Sequence, residues 1–573
     1  MERSRLMKDI DYAGALDELG FCVAPLFTLE QVDTLKRLYS EFTVENKVSG
    51  LIASHSKVGP EKNLLLCKAI KETLWPSLEN WFENFDFFIG GFMVKEANTK
   101  SELPLHQDWN VLDETQFTSY QIWMPVDLSS PGNGGMYVLP YSHRFFNNYR
   151  SGSYGIPTVN VDDNLRTVIA DMIIPPGSAL VFHNSLFHAS YPNNSDQNRI
   201  SVIVNVYQKN APLSYFHKNA IDNCTDIYPI NSEIFLTTLN TLENGGVPET
   251  GGKVSVALNE TDNRKITSAD LMQKLGDVLK GREKYFEPRQ LYILKDKAIE
   301  NNLQRHGFAV LDFLEPETVS LLKDAYEKQF NTANTSIGRF TPMEHSSPST
   351  KRDIHNFILD AIRCKLDTYF DNYQTPIASY FTKYARSKGD LSWHTDASIM
   401  LNTNLEPHLG IWCPLIDVNE NNGAFCLIPG SHKFSHVVFL PGLPWPYYRF
   451  SNMFDDARMV LKLKAGQMVL FDLRLIHHAT PNNTDEDRIA FCVRLTSTKS
   501  NYYSFSCSSE KDENVLVFEE QPDYYLRDDW SGDNQAANRH RKAGEMQHIY
   551  ARINYTSIKK ALEALAQKMP VAV

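Results

Sequence analysis

Pro104-Leu105-His106-Gln107-Asp108 carries a His-x-Asp triplet, and 288 residues later His394-Thr395-Asp396 carries another. One such triplet is weak evidence of a metal site; two at matched places in a repeated chain are strong. Residues i and i+2 of an extended strand share a face, so the spacing predicts that each His and Asp reach one metal from inside a barrel. A third ligand is then required.

The rest of the chain repeats in the same register. Gly20-Phe21-Cys22-Val23 recurs as Gly307-Phe308-Ala309-Val310, Trp123-Met124-Pro125 as Trp412-Cys413-Pro414, and Asn133-Gly134 as Asn422-Gly423. Leu139-Pro140-Tyr141-Ser142-His143 likewise recurs as Ile428-Pro429-Gly430-Ser431-His432. The offset drifts only from 287 to 289, which indicates duplication of a whole domain and excludes a short-period solenoid. The predicted organisation is a first domain over 1–246, a linker with a helix over 247–287, and a second domain over 288–573. Thr267 and Asp270 make the capping box of that helix. Each copy is predicted to open with a short strand followed by an amphipathic helix. Its middle holds short β-branched runs, such as residues 200–207 and 489–495, broken by Pro, Asn and Gly. The expected fold is therefore α+β but mainly β: two jelly-roll or cupin-like barrels with flanking helices.

The third ligand comes from the segments that end in Tyr191-Pro192-Asn193-Asn194 and Thr480-Pro481-Asn482-Asn483. Aligning these turns sets His188 opposite His477 and selects His477 over its neighbour His478. Two histidines and one carboxylate form the facial set typical of non-haem iron(II), which leaves coordination positions open for a bidentate 2-oxo acid and for O2. Zinc favours a more closed tetrahedron. Both copies also place an arginine eleven residues past the distal histidine, Arg199 and Arg488. The planar guanidinium grips a carboxylate through two bonds, and the Asn-Asn turn is expected to bring it back toward the metal on a neighbouring strand.

Composition bounds the function. A chain of 573 residues with 42% hydrophobic and 22% charged residues is ordinary globular protein of two-domain size. A net charge of −12 argues against nucleic-acid or anionic-membrane partners and favours a small-molecule substrate. Lacking a signal-type apolar region or membrane-length apolar run, the chain is expected to be cytoplasmic, with its oligomeric state left open. Its eight cysteines form no C-x-x-C pair and are expected to be buried thiols.

Taken together, Pro104 to Asp108, the Asn422-Gly423 and Ile428 to Lys433 stretch, and His188 through Arg199 resemble the phytanoyl-CoA dioxygenase family over most of both copies. The resemblance implies double-stranded β-helix domains that use iron(II) and 2-oxoglutarate. Carried over by position, it implies that His106, Asp108 and His188 hold one iron and His394, Asp396 and His477 another. Arg199 and Arg488 would take 2-oxoglutarate. The family's serine two places beyond the distal histidine matches Ser190; the second copy has Ala479 there, with Thr480 next. Trp123 and Trp412 resemble a family tryptophan near the co-substrate. His143, His432, His183 and His478 are expected to be structural.

Substrate contacts are expected from Trp109, from Asn205 and from Arg494, which replaces Asn205 in the second copy and is predicted to meet an anionic group. The preferred reading is a hydroxylase with two active sites performing distinct or successive oxidations. The alternatives are one catalytic domain with a scaffold or regulatory paralogue, and a non-redox metal- or sugar-binding barrel.

Overall fold

A computed structural model of the protein describes residues 5–42, 50–54, 59–100, 102–250, 252–258, 262–280, 289–330, 338–387, 391–396, 398–403, 405–434, 445, 447–507, 514–527, 541–547, 558–560 and 562–563. The chain divides into two compact units, Met1–Lys284 with Ala543–Gln547, and Tyr285–Lys542 with His548–Val573. Both are mainly β, built from antiparallel sheets with flanking helices.

A helix precedes each opening strand, where the sequence predicted the strand first. Asp9 caps Ile10–Leu19 by accepting from the amides of Asp11 and Tyr12, and Gly20 ends the helix at φ 88°. Asp296 and Gly307, at φ 82°, do the same for Lys297–His306. These left-handed positions favour glycine. They are also tight, since a Cβ at Gly20 would collide with His143 and Leu186, and one at Gly307 with His432 and Leu475. The two turn histidines therefore pack against the helix ends. At the turn itself Tyr141 holds φ 69° where the second unit has Gly430 at φ 79°.

In the first unit the strands relevant to the site are β1 (Phe21–Ala24), β2 (Leu51–Ala53), β3 (Phe85–Lys95), β4 (Leu103–His106), β5 (Ser119–Pro125), β6 (Met136–Val138), β7 (Thr158–Val159), β8 (Ala170–Asp171), β9 (Ala179–His183), β10 (His188–Ser190) and β11 (Arg199–Gln208). Among the described residues they form one sheet in the order β1-β9-β5-β11-β3-β2 and a second in the order β7-β4-β10-β6-β8. A further sheet joins β12 (Ser214–Asn219), β13 (Cys224–Pro229) and β14 (Val254–Ala257). The last strand lies inside the stretch read as linker, and the capped helix there spans Ser268–Val278.

The second unit repeats the arrangement. Its strands are β15 (Phe308–Asp312), β16 (Arg339–Phe340), β17 (Tyr373–Lys383), β18 (Leu391–His394), β19 (Leu409–Pro414), β20 (Phe425–Leu427), β21 (Met459–Val460), β22 (Gln467–Asp472), β23 (His477–Ala479) and β24 (Arg488–Ser497). They run in the orders β15-β22-β19-β24-β17-β16 and β18-β23-β20-β21.

Strand alternation separates core from site. On β24, Ile489, Phe491, Val493 and Leu495 pack with Ile354, Ile358 and Ile362 of the helix Pro348–Tyr369. Ala490 faces the other way, into a cluster with Trp412, Phe425 and Phe471. The flanking helix thus seals one face of the sheet and leaves the other to the site.

One buried asparagine braces each return turn. Asn193 Nδ2 donates to the carbonyls of Lys95 at 3.0 Å and Gln197 at 2.8 Å, while its Oδ1 accepts from the Ser195 amide and hydroxyl. Asn482 makes the same four bonds to Lys383, Glu486 and Thr484. Neither residue is exposed. Asn193→Ala and Asn482→Ala should each destabilise the chain by roughly 3 kcal/mol, because the buried Lys95 and Lys383 carbonyls lose the amide that donates to them and the turn loses its brace. Denaturant unfolding measures this, and a change below about 0.5 kcal/mol, the size usual for an inert surface substitution, would contradict the bracing role.

Candidate active site

Register places the histidines. β10 runs antiparallel to β4 with His188 opposite His106, and β23 runs antiparallel to β18 with His477 opposite His394. The ring centroids are 4.3 Å apart in the first pair and 4.2 Å in the second. Each imidazole sets its Nδ1 against the carbonyl two residues earlier: Pro104 at 2.8 Å, Leu186 at 3.0 Å, Ser392 at 2.9 Å and Leu475 at 2.9 Å. With Nδ1–H donating there, Nε2 keeps its lone pair for a metal. Burial, then the adjacent His188, lowers the His106 pKa to about 4; burial, then His477, lowers His394 to about 3. Both rings are neutral near pH 7.

The carboxylates arrive differently from the sequence expectation. β4 ends at His106 and β18 at His394, so Asp108 and Asp396 lie beyond the strands, and it is the following loop rather than strand alternation that carries them in. Asp108 Oδ1 lies 3.7 Å from His106 Nε2, and its Oδ2 lies 3.7 Å from His188 Nε2. In each unit one ligand atom from each of the three residues lies within 4.8 Å of the other two, a span that a single metal ion bridges. His478 instead lies against Trp393, with centroids 4.1 Å apart. His183 stacks on His143 at 4.9 Å.

The arginines also come from elsewhere. Arg199 opens β11 and Arg488 opens β24, on the larger sheet and not on a strand beside the distal histidine. Arg199 lies 5.1 Å over the Trp123 ring and donates to Ser201 Oγ at 2.8 Å, and its buried Nε has no partner among the described residues. Arg488 sits 5.3 Å over Trp412 and donates to the Phe381 carbonyl, leaving Nε and Nη2 without partners among the described residues. Burial lowers both to about 10, which leaves them cationic at neutral pH.

Around the first triad lies a cavity of about 520 Å³ whose wall includes Ser190, Arg199, Trp123, Trp109 and Asn205. Asn205 Nδ2 donates to Asn184 at 3.1 Å and Gln121 at 3.3 Å, while its buried Oδ1 is unpartnered among the described residues. The second cavity, about 240 Å³, is lined by the triad, Trp412, Ala479 and Arg494; Arg488 and Thr480 lie outside its wall. Thr480 does not take the place of Ser190. Its Oγ1 accepts from the Ala424 amide at 2.9 Å, just past the end of β23, while Ala479 lines the cavity. Arg494 is not exposed, and its Nη2 lies 3.0 Å from Asp396 Oδ1, so its carboxylate partner is the neighbouring triad residue. Ala397, opposite Trp109 in the repeat, falls outside the described residues.

Two lysines escaped the sequence reading. Lys95 and Lys383 end β3 and β17, fully buried, opposite Arg199 and Arg488. Lys95 Nζ donates to Ser190 Oγ at 2.8 Å and to the carbonyls of Ser190 and Tyr191; Lys383 Nζ donates to those of Ala479 and Thr480. Burial, then the Arg199 charge, lowers Lys95 to about 7, while its three acceptors favour the ammonium. Nothing in the local sequence separates these lysines from ordinary solvent-facing strand ends; only the repetition of a lysine at both places hinted at them.

A His, Asp and His group, set between antiparallel sheets beside a buried arginine, has the donor set suited to a single non-haem metal ion. The model of the family described as phytanoyl-CoA dioxygenase (PhyH) matches residues 34–201 and 303–490, more than half of the chain, and the chain belongs to that family. Phytanoyl-CoA dioxygenase domain-containing protein 1 of Mus musculus is 27% identical over 136 residues, 22% of this chain and 45% of that protein. The Danio rerio protein of the same name is 26% identical over 132 residues, with the same coverage. The chain thus spans less than half the length of these relatives. Among solved structures, EvdO2 from Micromonospora carbonacea var. aurantiaca shares 20% identity, covering 36% of this chain and 94% of that one, with a TM-score of 0.27. HygX from Streptomyces hygroscopicus, with nickel and 2-oxoglutarate bound, shares 14% identity over 35% of this chain and 87% of that one, also with a TM-score of 0.27.

Lys95→Met should leave the Ser190 and Tyr191 carbonyls unpaired and destabilise the chain by about 2 kcal/mol or more. Denaturant unfolding of the full chain reads this, and an unchanged midpoint would show that the ammonium does not secure β10.

Proposed function

We propose that this chain is an iron(II)- and 2-oxoglutarate-dependent oxygenase acting on a small molecule, each unit a double-stranded β-helix and the first unit carrying the complete site. The observation that carries this reading is Arg199, a buried guanidinium with an unsatisfied N–H in the wall of the cavity that holds His106, Asp108 and His188. A buried cation needs an anion, and a dicarboxylic co-substrate that reaches from the metal to Arg199 supplies one.

Donor chemistry fits the metal. Two imidazoles and one carboxylate suit ferrous iron and leave room for further ligands. When bound, iron with 2-oxoglutarate and O2 supplies the oxidising power that side chains lack, yielding succinate and CO2 as one oxygen atom enters the substrate. The residues of the chain bind and orient. Arg199 and Ser190 take the distal carboxylate of the co-substrate, and the Trp123 face beneath Arg199 fixes the plane of the guanidinium. Lys95 holds Ser190 in place. Apolar walls around Met93, Phe182 and Ile203 exclude water, and Asn205, with its spare acceptor, binds a neutral donor such as a hydroxyl or amide on the substrate.

A second reading, one catalytic unit with a paralogue of altered duty, is favoured by the ion pair on Asp396 and by the turn of Thr480 toward the Ala424 amide.

His188→Ala should abolish substrate-coupled succinate formation at the first site. Arg199→Lys should raise the KM for 2-oxoglutarate by roughly tenfold or more, since a point charge replaces a two-bond fork. Succinate release measured against a panel of small metabolites tests both, and undiminished turnover in His188→Ala would overturn the assignment of the first unit.

A further inference from the structure

We infer that Arg494 makes the second His/Asp/His group a weaker site for a divalent metal than the first, so that the chain loads its two metals unequally. This rests on reading both groups as metal sites.

The two groups match in their imidazoles and differ at the carboxylate. Asp108 meets the two imidazole rings at 3.7 Å, and no cation is set on its carboxylate among the described residues. Asp396 is held 3.0 Å from the Arg494 guanidinium, with the arginine side chain 17% exposed and the aspartate side chain 20%. One carboxylate oxygen is therefore already engaged by a charge-assisted bond. An entering dication also meets a fixed positive charge in a site shielded from bulk water, where repulsion is poorly screened.

The surroundings are built for this arginine. In the first unit the same place on the strand is Asn205, a neutral residue, flanked across the sheet by Gln121. Opposite Arg494 the neighbouring strand has Gly410, where any Cβ would run into Phe471 and Leu473. Leu473 stands where Asn184 joins the amide network of the first unit. The second site thus exchanges three neutral amides for one cation, one apolar residue and one position without a side chain.

A hydrogen bond to a ligating carboxylate also has the power to orient it and tighten the metal, so the sign of the effect of Arg494 is the decisive quantity. Anaerobic Co(II) titration of the full-length, metal-free protein, followed by calorimetry and visible absorption, reads it without any turnover. The expected result is one tight equivalent, lost in His188→Ala, and a second that is roughly tenfold or more weaker, lost in His477→Ala. Arg494→Asn should draw the second affinity up toward the first, and Arg494→Lys should keep it weak. Arg494→Gln, which keeps a donor without the charge, serves if the asparagine variant fails to fold, and it should also tighten the site. Two equal equivalents in the unmodified protein, or unchanged or weaker binding at the second site in the neutral variants, would overturn the inference while leaving the oxygenase reading of the first unit intact. Absence of binding at both sites would remove that reading and the inference with it.

Discussion

Everything at the two centres depends on one antiparallel register, the pairing that sets His188 across from His106 and His477 across from His394. A slip of one residue would turn each distal histidine to the opposite face and replace it with an alanine or a second histidine. The buried Asn193 and Asn482 turns guard that register, because they tie the strand end that holds the distal histidine to the strand end that holds the lysine. The arginine follows on the same return. The distal histidine and the buried arginine are therefore positioned by one local device, present once in each unit.

This device explains what was legible in the amino-acid sequence. Asn-Asn turns and left-handed glycines are demanded by the backbone, so their recurrence fixed the repeat register and separated His477 from His478. The arginine spacing came with the turn. Less legible were properties that arise only when distant strands meet. A lysine at the end of a strand looks like a solvent residue until the opposing strand closes over it, as with Lys95 and Lys383. The placement of Asp108 just past the end of β4 eluded an argument from strand alternation, because a loop has no fixed period. Thr480 likewise lies past the end of its strand, and its hydroxyl is taken by the Ala424 amide.

Arg494 shows most clearly how composition underdetermines chemistry. Its position on the site face of β24 follows from alternation, but its partner does not, because an arginine in a cavity wall serves an incoming anion and a neighbouring carboxylate equally well. Asp396 is closer and always present. The two cavities, about 520 and 240 Å³, thus combine matched His/Asp/His geometry with different electrostatics.

Gly410 gives this difference a history. With Phe471 and Leu473 packed against it, a Cβ at this position would require those side chains to shift, whereas its counterpart Gln121 belongs to an amide network that needs a side chain. Positions 410, 473 and 494 therefore behave as an epistatic set. After duplication, a path between the two forms that changed them singly would pass through a close contact or a stranded amide, so the packing around position 410 couples the three positions.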